Sequence, residues 1–289
     1  MYRYVPFDEI EKNKWNGTVH YAPNGNIYGY YWYLKSTYKE WDAIVEEDYQ
    51  SVLPILPRSK QEIYRMTPQL GPYSVNPLSS QRTTAMMDLM LQHSANNYYP
   101  VNTKSEYKPY TSDKDLALPY QRLELIDPYE AIAGGYTAEA TTLIEDAQSG
   151  SLRFDSSIKP EKIVATATHL TEESKNAYLR IMYNALHRGI GWSQGIIDKE
   201  TNTHIALSFF VVSHNVVHEI FSLAETPTKF RFLLYDMSIR NSAGKPSALE
   251  TYLPDAATAR LGFHSGTLPL LKIGTSKIDQ LLGYLGKAI

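Results

Sequence analysis

Three histidines, His204, His214 and His218, crowd one stretch of this sequence. His214 and His218 stand four apart, the interval at which a helix turns two imidazoles toward one metal ion. Their surroundings, Ser213-His214-Asn215 and then Val216 to Leu223, read as a turn and a strand, so no metal site is expected. Cysteine is absent, which removes thiolate nucleophiles, disulfides and cysteine-ligated metals together. The sequence also lacks a Gly-x-Ser-x-Gly elbow, a Walker loop, a GxGxxG fingerprint and an HExxH pair, so hydrolase, nucleotidase, dehydrogenase and zincin readings lose their support.

Two groups of residues remain. Thr226, Thr228, Lys229 and Arg231 stand at an expected helix start, where hydroxyls, cations and free backbone amides could hold an anion. Plain capping with a solvated basic turn is the equal alternative. Glu250 closes a short expected strand and Tyr252 follows two residues later, with Tyr235 on the preceding helix. A carboxylate can accept a proton and a phenol can deliver one. A solvated glutamate and core tyrosines are the competing reading.

These groups must be positioned by the elements around them. Pro23-Asn24-Gly25-Asn26 marks a turn, and the aromatic run Ile27 to Leu34 reads as a strand. Trp41 to Val45 and Tyr49 to Ile55 read as further strands of an antiparallel meander, with Gln61 to Met66 as a short addition. Ala85, Met86, Leu89 and Met90 fall at helical spacing between Ser79 and Asn97, with Ser79 or Ser80 as the cap. Strands Tyr98 to Val101 and Tyr120 to Ile126 flank an expected loop from Asn102 to Lys114. Beyond Asp127-Pro128 an apolar stripe from Tyr129 to Ala147 reads as helix, weakened at Gly134-Gly135 and ended by Gly150.

Strand Leu152 to Phe154 follows, then a helix from Pro160 through His169 and another from Ser174 to Arg188. Strands Gly191 to Asp198, Ile205 to Ser213 and Val216 to Leu223 come next, joined by tight turns. Helix Lys229 to Ser242, strand Ser247 to Tyr252, helix Asp255 to Leu261 and strand Pro269 to Ile273 complete the pattern. Residues 1–127 and 128–289 are therefore expected to form two domains, a better fit to 289 residues than one large α/β unit.

With 43% hydrophobic and 20% charged residues the chain can build packed cores. A net charge of -3 with dispersed Lys and Arg argues against nucleic acid as a partner. The start, MYRYVPFDEI, lacks the features of a secretory signal, and the longest apolar run, Ile205 to Val212, is too short to span a bilayer. A cytoplasmic protein without membrane insertion is expected. The 23 tyrosines, dense before Tyr136, suit half-buried sheet faces.

The element order matches a GNAT-type N-acetyltransferase, and specific strings sharpen the match. Trp41-Asp42-Ala43-Ile44-Val45, Asp48-Tyr49, Val52-Leu53-Pro54-Ile55 and Pro68-Gln69-Leu70-Gly71 resemble bacterial tandem GNAT proteins related to the FemAB-like peptidoglycan aminoacyltransferases. Arg122-Leu123-Glu124-Leu125, Tyr129-Glu130, Tyr136 and Ile144-Glu145-Asp146-Ala147 resemble that group's entry into its second domain. Leu249-Glu250-Thr251 and Leu261-Gly262-Phe263 resemble its closing strands, so the likeness runs from about Trp15 to Lys272.

The resemblance implies an α+β fold of two GNAT-like domains, each a mixed, mostly antiparallel sheet flanked by helices. It implies acyl-CoA as a candidate donor and an amine on a small molecule or cell-envelope precursor as acceptor. Glu250 becomes the base, and Tyr252, like Tyr235, a proton donor to the leaving group. Phe209, Phe221, Leu223, Ala224, Thr226, Thr228, Lys229 and Arg231 become the donor-binding set. The usual glycine-rich pyrophosphate loop has no counterpart in Ala224 to Lys229, where Glu225 would repel phosphate. That departure supports a second reading, a catalytically inactive binding or scaffold protein. Acyl donor, acceptor and oligomeric state stay open at this point.

Overall fold

The computed structural model describes residues 1–58, 65–94, 96, 98–102, 112–150, 152–223, 228–252 and 256–272. Its contacts divide the chain into two compact units, one of Met1–Leu118 with Leu268–Ile289 and one of Pro119–Thr267.

In the first unit, β1 (Tyr2–Val5), β2 (Asp42–Glu46), β3 (Ser51–Ile55) and β4 (Tyr73–Ser74) form an antiparallel sheet in that order. The expected meander is present, but the aromatic run before it is not a strand. Ile27–Gly29 is a 3-10 turn, and helix α2 occupies Tyr31–Tyr38, after α1 at Lys12–Tyr21. Local capping and burial decide this against β propensity. The Asn26 side chain accepts from the amides of Tyr28 and Gly29 and turns the chain. Trp32, Tyr33 and Leu34 are then buried on the helix. Gly29 permits close approach, since a Cβ there would lie 2.5 Å from the Tyr73 ring. Helix α3 (Ser80–His93) starts as expected at Ser79, whose hydroxyl accepts from the Arg82 amide. Most of the expected strand Gln61 to Met66 lies outside the described residues.

β5 (Tyr98–Pro100) pairs antiparallel with the last residues of β12 (His264–Lys272), a strand that begins earlier than its apolar end suggested. β6 (Ser112–Glu124) likewise begins inside the segment read as loop. In both cases a polar sequence extends the strand because a neighbour supplies the backbone partners, which local sequence does not encode.

The second unit opens with α4 (Tyr129–Ala133) and α5 (Ala138–Ser149), separated at Gly134-Gly135 as their weak helix propensity predicts. β7 (Leu152–Asp155), α6 (Pro160–Ala165), α7 (Glu172–His187), β8 (Gly191–Asp198), β9 (Thr203–Ser213), β10 (Val216–Ser222), α8 (Thr228–Ser242), β11 (Ala248–Thr251) and α9 (Ala256–Arg260) follow. α6 stops short of His169, where Thr166 turns its hydroxyl back onto the Ile163 carbonyl. The strands run β12-β6-β11-β10-β9-β8-β7, antiparallel at each pair whose register is defined except β10 with β11, which is parallel. His214 and Asn215 take positive φ in the β9–β10 turn, the conformation a two-residue hairpin requires.

Alternation along these strands sends Val217, Leu249, Phe210 and Leu123 into a core with Phe232, Tyr235 and Ile239 of α8 and Ala140 and Ile144 of α5. α7 packs on the opposite face. A Cβ on Gly191 would sit 2.6 Å from the Ala185 Cβ and 3.2 Å from its backbone carbon. No described helix is long and apolar enough to cross a membrane.

Gly191→Ala should therefore destabilise the protein by about 1–3 kcal/mol through overpacking. Gly17→Ala, with nothing within 4 Å of the new Cβ, should be neutral or stabilising by up to about 1 kcal/mol. Urea denaturation of both variants distinguishes these outcomes.

Candidate active site

The parallel pair β10–β11 is joined over only three rungs: Val216 with Ala248, Val217 with Leu249, and His218 with Glu250. Beyond them β10 keeps its antiparallel partner β9 as far as Ser222 with Ser208, but the register shifts between Glu219 and Phe221. A bulge of this kind bends a strand and increases its twist. β11 meanwhile stays paired with β6, Thr251 lying opposite Gln121. Among the described residues no rung of this pair follows His218 with Glu250; this end of the pairing, the fork, carries an acidic residue on each face of the sheet.

On the face away from α8, Glu250 is buried. Its Oε1 accepts from Arg122 Nη1 at 2.5 Å and its Oε2 from the Tyr252 hydroxyl at 2.7 Å. His218 Nδ1 stands 3.6 Å from Oε2. Arg122 reaches a second carboxylate through Nε, 2.6 Å from Glu124 Oε1. Burial alone would raise the Glu250 pKa, but His218, Tyr252 and Arg122 together outweigh it and hold the carboxyl below its usual range. Burial keeps His218 neutral, with its pKa lowered to about 4 against the pull of Glu250. Above that pH, Tyr252 and Arg122 hold Glu250 ionised.

On the α8 face, Glu219 is buried and receives three hydroxyls from three elements. Ser208 of β9 donates to Oε1 at 2.8 Å; Tyr235 of α8 and Thr251 of β11 donate to Oε2 at 2.8 and 2.7 Å. Burial first, and the Glu219 charge second, push the Tyr235 phenol far above its ordinary pKa. Arg231, one turn earlier on α8, opposes that shift by its positive charge.

The structure brings Glu250 and Tyr252 into direct contact. Phe209 and Phe221 are register partners on the α7 side of the sheet, both buried, with Phe221 edge-on to Tyr178 at 5.2 Å. Leu223 is half-buried and its amide donates to the Leu207 carbonyl. Lys229 is exposed, its ammonium over the Phe230 ring at 4.9 Å, while Arg231 is buried on the same helix. Thr228 opens α8; Ala224 and Thr226 lie outside the described residues. His214 bonds to Ser213 and His204 to Asp155, and no group of metal-binding side chains occurs among the described residues.

Sequence reasoning passed over Glu219, Arg122, Thr251 and Ser208. A signal for Glu219 was present: His218-Glu219 interrupts an otherwise apolar strand, and a charge there needs partners. Arg122 and Glu124 likewise share one face of β6 by alternation.

No described protein family matches this sequence, and no curated protein does. Solved structures do match. FemX aligns with a TM-score of 0.61 at 9% identity over 96% of this chain and 98% of that one. A tandem GNAT protein from the clavulanic acid biosynthesis pathway aligns with 0.50 at 13% over 96% and 100%. L-PGS from Bacillus licheniformis aligns with 0.53 at 8% over 94% and 95%.

The buried imidazole gives a pH test. Its depressed pKa means that the unfolded chain binds a proton more readily, so stability is complete above pH 6.5 and falls as pH drops toward 4. The loss from this one group should approach about 3 kcal/mol. In His218→Gln the decline across that window should flatten by a similar amount, measured by denaturant unfolding at several pH values. The α+β sheet with its one parallel pair, matched over most of its length by those structures, shows that the chain shares the fold of FemX and of the tandem GNAT protein.

Proposed function

We propose that the chain transfers an acyl or aminoacyl group to an amine, on a small molecule or cell-envelope precursor, at the fork between β10 and β11. The observation that carries this reading is the end of strand pairing at His218 and Glu250, with an ionised carboxylate and a phenol in contact at that point. The fold shared with FemX and the tandem GNAT protein supports acyl transfer as the reaction class.

Transfer to an ammonium needs one proton removed before attack and one supplied to the leaving group. Glu250, ionised at neutral pH, takes the first. Tyr252 gives up its own proton to the departing thiolate or alkoxide and recovers one from Glu250 along their 2.7 Å hydrogen bond. The proton taken by Glu250 thus ends on the leaving group, and the second proton, lost from nitrogen as the tetrahedral intermediate collapses to the amide, passes to solvent. Arg122 orients Glu250 and keeps it charged between turnovers.

Acyl-CoA fits this site in part. The end of the β10–β11 pairing is where an extended arm would enter, and Lys229 and Arg231 at the start of α8 would supply positive charge for its phosphates. Bound there, a thioester would supply the activated carbonyl. The fork is crossed by the Thr251–Glu219 hydrogen bond, which favours the second reading, a binding protein that keeps the fold without turnover.

Calorimetry with acetyl-CoA, followed by turnover with a panel of primary amines, tests the proposal. Binding should be measurable, and Glu250→Gln should lower kcat by about 10²–10⁴ with little change in donor affinity. Absence of heat and of thermal shift with several acyl-CoAs would defeat the CoA-dependent form. Binding without turnover on any amine would favour the binding protein.

A further inference from the structure

Where the backbone ladder between β10 and β11 stops, one carboxylate takes over the work of holding the elements together. Glu219 belongs to β10, and its two oxygens are bonded by side chains from β9, α8 and β11. Ser208 reinforces the set by also accepting a hydrogen bond from the Ser222 hydroxyl, beyond the bulge. Among these bonds, only Thr251 to Glu219 crosses the fork.

The three donors are unequal in what their loss would do. A carboxylate has about four acceptor positions. Withdrawing Thr251 leaves Glu219 with Ser208 and Tyr235, so the charge stays solvated. Withdrawing Tyr235 would strand a fully buried phenol. Withdrawing Ser208 would break the pair that ties β9 to the bulge. Thr251 also sits on a strand whose backbone is pinned on its other side, to Gln121 of β6, so it can swing away without unpairing β11.

We infer that Thr251 and Glu219 form a clasp that closes the fork in the free protein, and that an elongated ligand enters between β10 and β11 by displacing the Thr251 hydroxyl with an N–H or O–H of its own. This rests on the fork as the donor slot of the proposed function. A replacement donor keeps the carboxylate satisfied, so opening leaves no buried charge stranded, while an arm without a donor at that position would leave Glu219 one bond short.

The test uses the full chain, Thr251→Val, Thr251→Ser and Ser208→Ala, with acetyl-CoA as the probe. Hydrogen exchange over residues 216–222 and 248–252 should quicken at least tenfold in Thr251→Val and stay near wild type in Thr251→Ser, which keeps the hydroxyl. Acetyl-CoA should bind Thr251→Val several-fold more tightly, with a faster association rate. Ser208→Ala, which removes a bond to Glu219 that does not cross the fork, should not tighten binding; equal tightening there would overturn the clasp. Unchanged exchange in Thr251→Val, or quickened exchange with affinity equal to or weaker than wild type, would overturn it as well. Faster exchange with no acetyl-CoA bound by any variant would overturn the donor reading of the fork and the gate with it. Should Thr251→Val fail to fold, Thr251→Ala gives the same readouts.

Discussion

The bulge at Glu219 to Phe221 is the constraint on which the second unit turns. Up to His218, β10 satisfies its backbone on both sides, with β9 and with β11. The extra residue rotates the strand, β9 follows it and β11 does not. Buried backbone groups seldom go without partners, so a sheet that opens in this way must place polar side chains at the opening. Glu219 with Thr251 and Glu250 with Tyr252 are those side chains, adjacent in sequence on each strand and therefore on opposite faces.

Each carboxylate is satisfied in a different currency. Glu250 is held by a guanidinium and a phenol, and Arg122 is itself shared with the exposed Glu124. Glu219 has only neutral hydroxyls hydrogen-bonded to it. Hydrophobic residues of the same volume would cost less than either arrangement. Both carboxylates stand where the described β10–β11 pairing ends, and a buried, perturbed carboxyl such as Glu250 is of the kind that concentrates at functional sites.

Much of this was legible in the sequence. Periodicity located α3, α5, α7 and α8, and Gly134-Gly135 marked the break between α4 and α5. Strands β8, β9 and β10 were bounded by their turn residues. Ile27 to Leu34 misled because its aromatics suit a strand equally well, and the Asn26 cap acts through geometry that composition does not show. The extents of β6 and β12 depend on a neighbouring strand. Glu250 and Tyr252, the expected base and proton donor, stand two apart at a strand end, and the structure joins them by a hydrogen bond. Arg122, 128 positions from Glu250, and the three donors to Glu219 are brought in by topology alone. The fork itself has no sequence signature, because a bulge is a relation between two strands.

The alternation that separates the two carboxylates also separates the two substrates of any transfer made here. A donor lying along the α8 face meets Glu219 and the basic start of that helix. An amine arriving from the other face meets Glu250, with Tyr252 and His218 beside it. In the proposed reaction Glu250 would face the amine, and its hydrogen bond to Tyr252 would connect the proton lost on that side with the leaving group at the fork. Glu219, on the donor side and already bonded by three hydroxyls, is poorly placed to take that proton and well placed to govern entry. That the two carboxylates lie on opposite faces follows from the period of a β-strand.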